Sequence, residues 1–281
     1  MSNLLKAFIN IVDNYRITIK DIKDGNNRAN NMGEGLESYI SDAFANSFNE
    51  TDLKRKKENF RNTFSYKGTK SRIPDLVLKN SDAIEVKKTE VLGDLQLNSS
   101  HPKAKLYSTQ NITDECRNCE DELWNEKDII YAMGHIPKQS KQLKSLWFVY
   151  GTCYAGKKEV YIDVETEIKS SLVQNKILNI DITGKELGKV RAIDSLDITY
   201  LRIRGMWVIK HPSKLFADLY KQRDEAFSMI AIIPIDKYNN FSASDRVMIE
   251  SRDEIVITDE NISNPNNSAR EMEVKLLLFT V

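Results

Sequence analysis

Apolar residues recur at helical spacing in some stretches of the chain and at strand spacing in others. Leu4, Leu5, Phe8, Ile9 and Val12 fall three and four apart, which predicts an amphipathic helix over residues 4–15. The polar stretch 21–30 reads as a loop. A second stripe, Leu36, Tyr39, Ile40, Ala43, Phe44 and Phe48, predicts a helix from about residue 32 to 48, and Asn31 and Glu34 have capping-box spacing at its start. Residues 51–59 are charged and read as a mobile connection.

From residue 75 the period shortens. Residues 75–79 and 83–87 read as short strands joined across the turn-forming cluster Asn80-Ser81-Asp82. Further strands are expected at 128–133, 146–150, 160–164, 198–203 and 227–233. Pro212 opens a helix carrying Leu215, Phe216, Leu219 and Tyr220, and Asn264-Pro-Asn-Asn-Ser reads as a loop before a last apolar strand at 274–279. Strands interspersed with helices predict an α/β or α+β fold with a mixed central sheet flanked by helices. No internal repeat or low-complexity linker divides the chain, so 1–281 reads as a single domain.

Composition changes this picture little. At 281 residues the chain is long enough to bury a core, and no apolar run approaches the length of a membrane helix. The N-terminus does not read as a signal peptide, and three cysteines give no disulfide framework, so a reducing cytoplasm is expected. The 41 basic and 41 acidic residues cancel, which argues against a purely electrostatic, non-specific DNA binder. A specific DNA enzyme remains open, because it can gather its cations in one cleft and keep acids beside them for metal ions.

The chemistry concentrates at Pro74-Asp75 and Glu85-Val86-Lys87. Alternation along a strand puts Glu85 and Lys87 on one face and sends Val86 to the other. A hairpin would bring the Asp75 carboxylate beside Glu85. Two carboxylates and a lysine suit phosphodiester cleavage: the acids offer hard oxygen ligands to a divalent cation, and the lysine can orient or help deprotonate water, or steady the phosphate. An acid two residues before a lysine also occurs at Asp21, Asp52, Glu167 and Glu273, but only Glu85 lies on an apolar strand just after a Pro-Asp pair. A solvent-facing ladder of charges on an edge strand fits the local pattern equally well. Glu37, beside Leu36 at the edge of the helical stripe, is a third acid that could reach the site, or a plain surface glutamate.

Three segments suit DNA. Arg202 and Arg204 alternate with apolar neighbours and share a strand face, followed by Gly205 and Trp207. They fit guanine readout, phosphate clamping or simple solvation. Asn98, Ser99, Ser100, His101 and Lys103 form a donor-rich stretch soon after the acidic strand, and Arg28 lies between Asn27 and Asn30. Cys116 and Cys119 make one CxxC without a second pair, which is short of a zinc site. No glycine-rich phosphate loop is present, so ATP dependence is not expected.

These residues together resemble a known group. Glu37, Pro74-Asp75 and Glu85-Val-Lys87 look like the PD-(D/E)XK nuclease superfamily. NNRAN (26–30), GEGLESYISDAF (33–44), IPDLVLKNSDAIEVKK (73–88), LNSSHPK (97–103), EKDIIY (126–131), ITYLRIRGMW (198–207) and NPNNSAR (264–270) are similar to the NgoPII family of type II restriction endonucleases. The resemblance implies a restriction-endonuclease-like core with added elements, the catalytic part at about 30–150 and DNA-recognition elements within about 185–281. It implies Mg²⁺-dependent cleavage of double-stranded DNA at a short palindrome, GGCC, with catalytic Asp75, Glu85, Lys87 and Glu37 and metal ligands Asp75 and Glu85. A homodimer is expected, since one centre per chain must serve two strands. A cognate DNA methyltransferase belongs to such a system without being a physical partner, and the location is the bacterial cytoplasm. Another PD-(D/E)XK nuclease or a non-catalytic DNA-binding protein are the alternatives.

Overall fold

The computed structural model describes residues 1–19, 28–68, 73–174, 179–184, 186–221, 223 and 225–281, with the main chain alone at 28–32 and 98. Its centre is a mixed sheet. In spatial order the strands are Phe64–Lys67, Leu76–Leu78, Ala83–Thr89, Glu126–His135, Ser145–Tyr150, Ser228–Pro234, Asn267–Thr280 and Val256–Asn264, and Lys105–Tyr107 pairs with the start of Glu126–His135. Two neighbouring pairs run parallel, Ala83–Thr89 with Glu126–His135 and Ser145–Tyr150 with Ser228–Pro234, and the others antiparallel.

The middle strands are buried on both faces and read as nearly continuous apolar runs, LWFVY and MIAII, as such strands must. Helix Leu4–Asn14, capped by Asn3 accepting from the Lys6 N–H, buries Leu4, Leu5, Phe8, Ile11 and Val12. Helix Arg28–Phe44 buries Leu36, Ile40, Ala43 and Phe44. Each such side chain contributes about 1.5–3 kcal/mol. That helix presses closely on the sheet at Gly134, where a Cβ would come 2.7 Å from Leu36 Cδ2. The absence of a side chain there sets how near Glu37, the next residue, stands to the strand bearing Glu85.

Several elements differ from the sequence expectation. Arg28–Phe44 starts earlier than residue 32, so Asn31 and Glu34 lie inside it and not at its cap, and it ends at Phe44, short of Phe48, with Asn46 just beyond at φ 48°. Of the loop expected at 21–30, residues 28–30 are helical and 21–27 lie outside the described residues. Residues 51–59 are not a loose connection but belong to helix Leu53–Thr63, whose Asp52 cap accepts from the Lys54 N–H. Residues 160–164 are not a strand but part of helix Lys158–Val173, which buries no residue. Val160, Ile162 and Val164 alternate like strand residues, yet no sheet is there to receive them. The strand expected at 198–203 is confined to Leu201–Ile203, and the last strand is longer than 274–279, with the Asn264-rich loop reduced to the tip of a hairpin.

Candidate active site

The register of the hairpin builds the site. Leu76 pairs with Ile84 and Val77 with Ala83, so Asp75, one residue earlier, lies across from Glu85. The Asp75 N–H donates to Ile84 O at 3.1 Å, and the Val86 N–H donates to Asp75 Oδ2 at 2.7 Å. Gly68 closes the other side: its N–H donates to Asp75 O at 2.6 Å, and a Cβ there would lie 2.4 Å from Pro74 O. Any side chain at 68 would push the Pro74-Asp75 backbone away.

Glu85 is on an interior strand and only 2% exposed, so the edge-strand charge ladder is not what forms. The Lys87 ammonium donates to Glu85 Oε1, while Glu85 Oε2 is buried without a hydrogen-bond partner. An unpartnered buried carboxylate oxygen costs free energy unless a cation or water satisfies it. Burial, then the Asp75 charge, pushes the Glu85 carboxyl up to about 7 against the pull of Lys87. Burial also raises Asp75, opposed by Lys87 and by the Val86 N–H. Burial pulls the Lys87 ammonium down, but the charges of Glu85 and Asp75 more than offset it, so its pKa is raised.

Glu37 joins this cluster from the helix. Burial, then the Asp75 charge, pushes its carboxyl up to about 7, opposed by Lys67 and Lys87. Tyr131 pairs with Glu85 in the parallel ladder and is buried. Its hydroxyl accepts from the Lys103 N–H at 2.7 Å and donates to Lys103 O at 3.2 Å. The sequence offered no signal for Lys67 or Tyr131, because only the pairing brings them to the acids.

Two of the three segments that the sequence offers for DNA meet one another. Strand Leu95–Asn98 pairs antiparallel with Trp207–Ile209, with Asn98 opposite Trp207. Ser99, Glu186, Gly205 and Trp207 line one cleft. Ser99 and Ser100 are exposed. His101 stacks on Tyr161 at 4.9 Å and meets Trp207 edge-on at 6.2 Å. Its Nδ1 faces Pro102 O at 2.9 Å and its Nε2 faces Lys103 Nζ at 3.0 Å, which suits a neutral ring accepting from the ammonium. Burial brings the Lys103 ammonium down to about 8, with the Glu165 charge opposing.

Arg202 and Arg204 are exposed and converge on Glu186, which accepts from Arg202 and lies 3.9 Å from Arg204 Nε. Arg204 lies just past the strand end, yet it keeps to the same side as Arg202. Glu186 was not singled out in the sequence, since it is 16 positions from its partner. Arg28 begins its helix, but its side chain and the Asn98 side chain lie outside the described residues.

Among the described residues no three of His, Cys, Asp and Glu stand together as a metal-holding group. Asp75 and Glu85 supply a carboxylate pair, which fits a cation that keeps water and takes substrate oxygens in its remaining positions, as magnesium does. Cys116 and Cys119 are free thiols, and the Ser65 hydroxyl donates to the Cys119 sulfur at 3.5 Å. Among the described residues no helix is long and apolar enough to cross a membrane.

A family model described as the NgoPII restriction endonuclease matches residues 2–263. The type II restriction enzyme NgoPII of Neisseria gonorrhoeae is 40% identical over 280 residues, 99% of each chain. No solved structure matches the chain.

Proposed function

The chain belongs to the NgoPII restriction endonuclease family and is a type II site-specific deoxyribonuclease acting on double-stranded DNA, and from this premise we propose that Asp75, Glu85, Lys87 and Glu37 form a Mg²⁺-dependent centre that cuts a short palindrome, GGCC. The observation that carries the assignment is the buried, unpartnered Oε2 of Glu85 beside Asp75. Asp75 and Glu85 would hold the metal; when bound, the ion lowers the pKa of its water and offsets charge on the attacked phosphate.

The chain's own residues divide the remaining tasks. Lys87 donates to Glu85, and the two carboxylates raise its pKa while no metal offsets their charge. Beside the metal it can orient or help deprotonate the water, or steady the phosphate. Glu37, titrating near neutrality, can accept a proton at the edge of the centre. The Val86 N–H holds Asp75 in place. Lys103, lacking a carboxylate hydrogen bond among the described residues, offers its charge to a phosphate, with His101, Ser99, Ser100 and Asn98 beside it. Arg202 and Arg204, held beside Glu186, are further DNA contacts, as is Arg28. The catalytic part thus falls within about 30–150 and recognition within about 185–281 of one domain.

A palindrome presents the same half-site twice, and one centre per chain serves both strands most simply in a two-fold homodimer. Helix Lys158–Val173 supports this reading, since none of its residues is fully buried within the chain and it exposes Val160, Ile162, Val164, Ile168 and Val173. The enzyme works in the bacterial cytoplasm, where a methyltransferase of the same specificity protects host DNA without binding this chain. GGCC itself rests on the resemblance of the sequence blocks to the NgoPII family. Digestion of plasmid DNA of known sequence, with Mg²⁺ or with chelator, and mapping of the ends tests the proposal. Ends at GGCC only when Mg²⁺ is present are expected. Cleavage in chelator, or ends at scattered or branched sites, would assign another nuclease chemistry.

A further inference from the structure

The chain carries equal numbers of acidic and basic residues, yet one surface helix is strongly basic. Helix Leu53–Thr63, LKRKKENFRNT, has five basic residues and one acid, and no residue of it is buried. Its inner side is Lys56, Asn59, Phe60 and Thr63, all half-buried. Lys56 pairs with Asp42 at 2.6 Å, Asn59 donates to Ser47 Oγ at 3.3 Å, and Phe60 meets Phe64 edge-on at 6.0 Å. These contacts fix its rotation. Lys54, Arg55, Lys57 and Arg61 then point outward and are exposed, with Glu58 the single acid among them. Arg55 has a loose partner, Asp52 at 4.0 Å; Lys54, Lys57 and Arg61 have no ion pair among the described residues.

The helix adjoins the acidic centre through its inner side. The Lys67 ammonium sits 5.8 Å over the Phe60 ring, and the charge of that same Lys67 acts on Glu37. Asp42, the partner of Lys56, is on the helix that carries Glu37. So the basic helix is anchored, on one side, to the elements that hold the catalytic carboxylates. A fixed row of four outward cations on an element beside a centre that takes duplex DNA fits the polyanionic backbone of that duplex beyond the bases being cut. An acidic protein surface would also match the charge, but the flanking position beside a DNA-cutting centre favours the duplex.

We propose that the outer face of helix Leu53–Thr63, through Lys54, Arg55, Lys57 and Arg61, binds phosphates of the DNA flanking the recognition site. The inference rests on duplex DNA as the substrate. The helix is about 16 Å long at 1.5 Å per residue, which spans about five base pairs at 3.4 Å each. The contacts carry no sequence information, so they add affinity equally to cognate and non-cognate duplexes.

The test is the salt dependence of binding, without divalent metal, to duplexes of one sequence with short and with long flanks. The variant is Lys54→Gln/Arg55→Gln/Lys57→Gln/Arg61→Gln, in which Gln retains helix propensity. Each lost phosphate contact flattens the slope of log K against log salt by about 0.9. Four contacts flatten it by up to about 3.6 and weaken low-salt binding on the order of 10–100-fold, on long flanks only, with the cleavage rate at saturating DNA unchanged. An unchanged slope on long flanks overturns the proposal. Loss of a DNA-free dimer with an unchanged slope assigns the helix to a subunit contact and also overturns it. Should the unaltered protein neither bind nor cut duplex DNA, the functional assignment itself fails, which is a distinct result. A measurement on the unaltered protein guards against misfolding of the variant: duplex should shield Lys54 and Lys57 from an amine-acetylating reagent, and undiminished labelling counts against the contact.

Discussion

The Val86 N–H donates to Asp75 Oδ2 at 2.7 Å, so the strand that carries Glu85 also orients the opposing acid. Two carboxylates are thereby held in a buried place where their charges repel, and a lysine donor satisfies only one of Glu85's two oxygens. The arrangement is unfavourable for the isolated chain and favourable once a cation enters.

Removing one carboxylate separates these two consequences. Asp75→Asn is expected to lower cleavage by about 10³-fold or more, since a metal's transition-state stabilisation is worth several kcal/mol and each 1.36 kcal/mol is tenfold. It should also raise the metal-free melting temperature, because a buried like-charge repulsion disappears. Calorimetry beside a cleavage assay checks both. A variant that is inactive and also less stable would mean that Asp75 serves mainly to hold the hairpin.

The same repulsion sets a pH dependence. Glu37 and Glu85 are both raised from 4.5 to about 7. The folded chain then keeps protons that the unfolded chain releases, so metal-free stability falls as pH rises through the window from about 4.5 to 7. Metal binding needs the charged carboxylates, so the stabilisation by Mg²⁺ should grow with pH across that window and level off above it. Melting temperatures with and without Mg²⁺ from acid to mildly alkaline pH would show this. A Mg²⁺ effect independent of pH would contradict it.

His211 predicts an opposite trend on the acid side. It is fully buried, its Nδ1 accepts from the Ser213 N–H, and its Nε2 has no partner. Burial, then the charges of His135 and Lys214, against Asp94, brings it down from 6.5 to about 4. The unfolded chain takes up a proton that the folded chain refuses, so this stability is present above about pH 6.5 and is lost as pH falls towards 4. His211→Asn, which keeps an N-cap acceptor, should make acid unfolding less steep. An identical acid limb in the variant would remove His211 from the account.

Glu186 ties up both outward arginines in the free protein. Glu186→Gln removes a negative charge from the face proposed for DNA, so non-specific affinity should rise, while the ratio of cognate to non-cognate binding should fall as the guanidinium orientation loosens. Arg202→Ala should cost about 1–3 kcal/mol of specific binding if it makes a bidentate base pair contact. Equal losses on all sequences with a shallower salt slope would make these arginines phosphate contacts.

Much of the site could be read from the chain because its spacing is local. Asp75 directly precedes one short strand, Glu85 and Lys87 lie on the next across one tight turn, and the stripe from Leu36 to Phe44 betrays the helix that brings Glu37. Elements without a buried stripe were harder. Helix Leu53–Thr63 packs mainly through Phe60, and helix Lys158–Val173 carries alternating Val160, Ile162 and Val164 that imitate a strand while buried nowhere. The polar strand Val256–Asn264 gives no alternation strong enough to see, and its pairing with Asn267–Thr280 defines it. Tyr131 and Glu186 belong to the site through register and long-range packing, which no spacing in the sequence records.

The central claim is that Glu85 is part of the cutting chemistry and not of DNA binding. Its most direct test compares the unaltered protein with Glu85→Gln on one labelled duplex containing GGCC, measuring binding without metal and cleavage with Mg²⁺ at saturating protein. The account predicts near-equal binding and cleavage reduced by about 10³-fold or more. Cleavage by Glu85→Gln at the rate of the unaltered protein would contradict it.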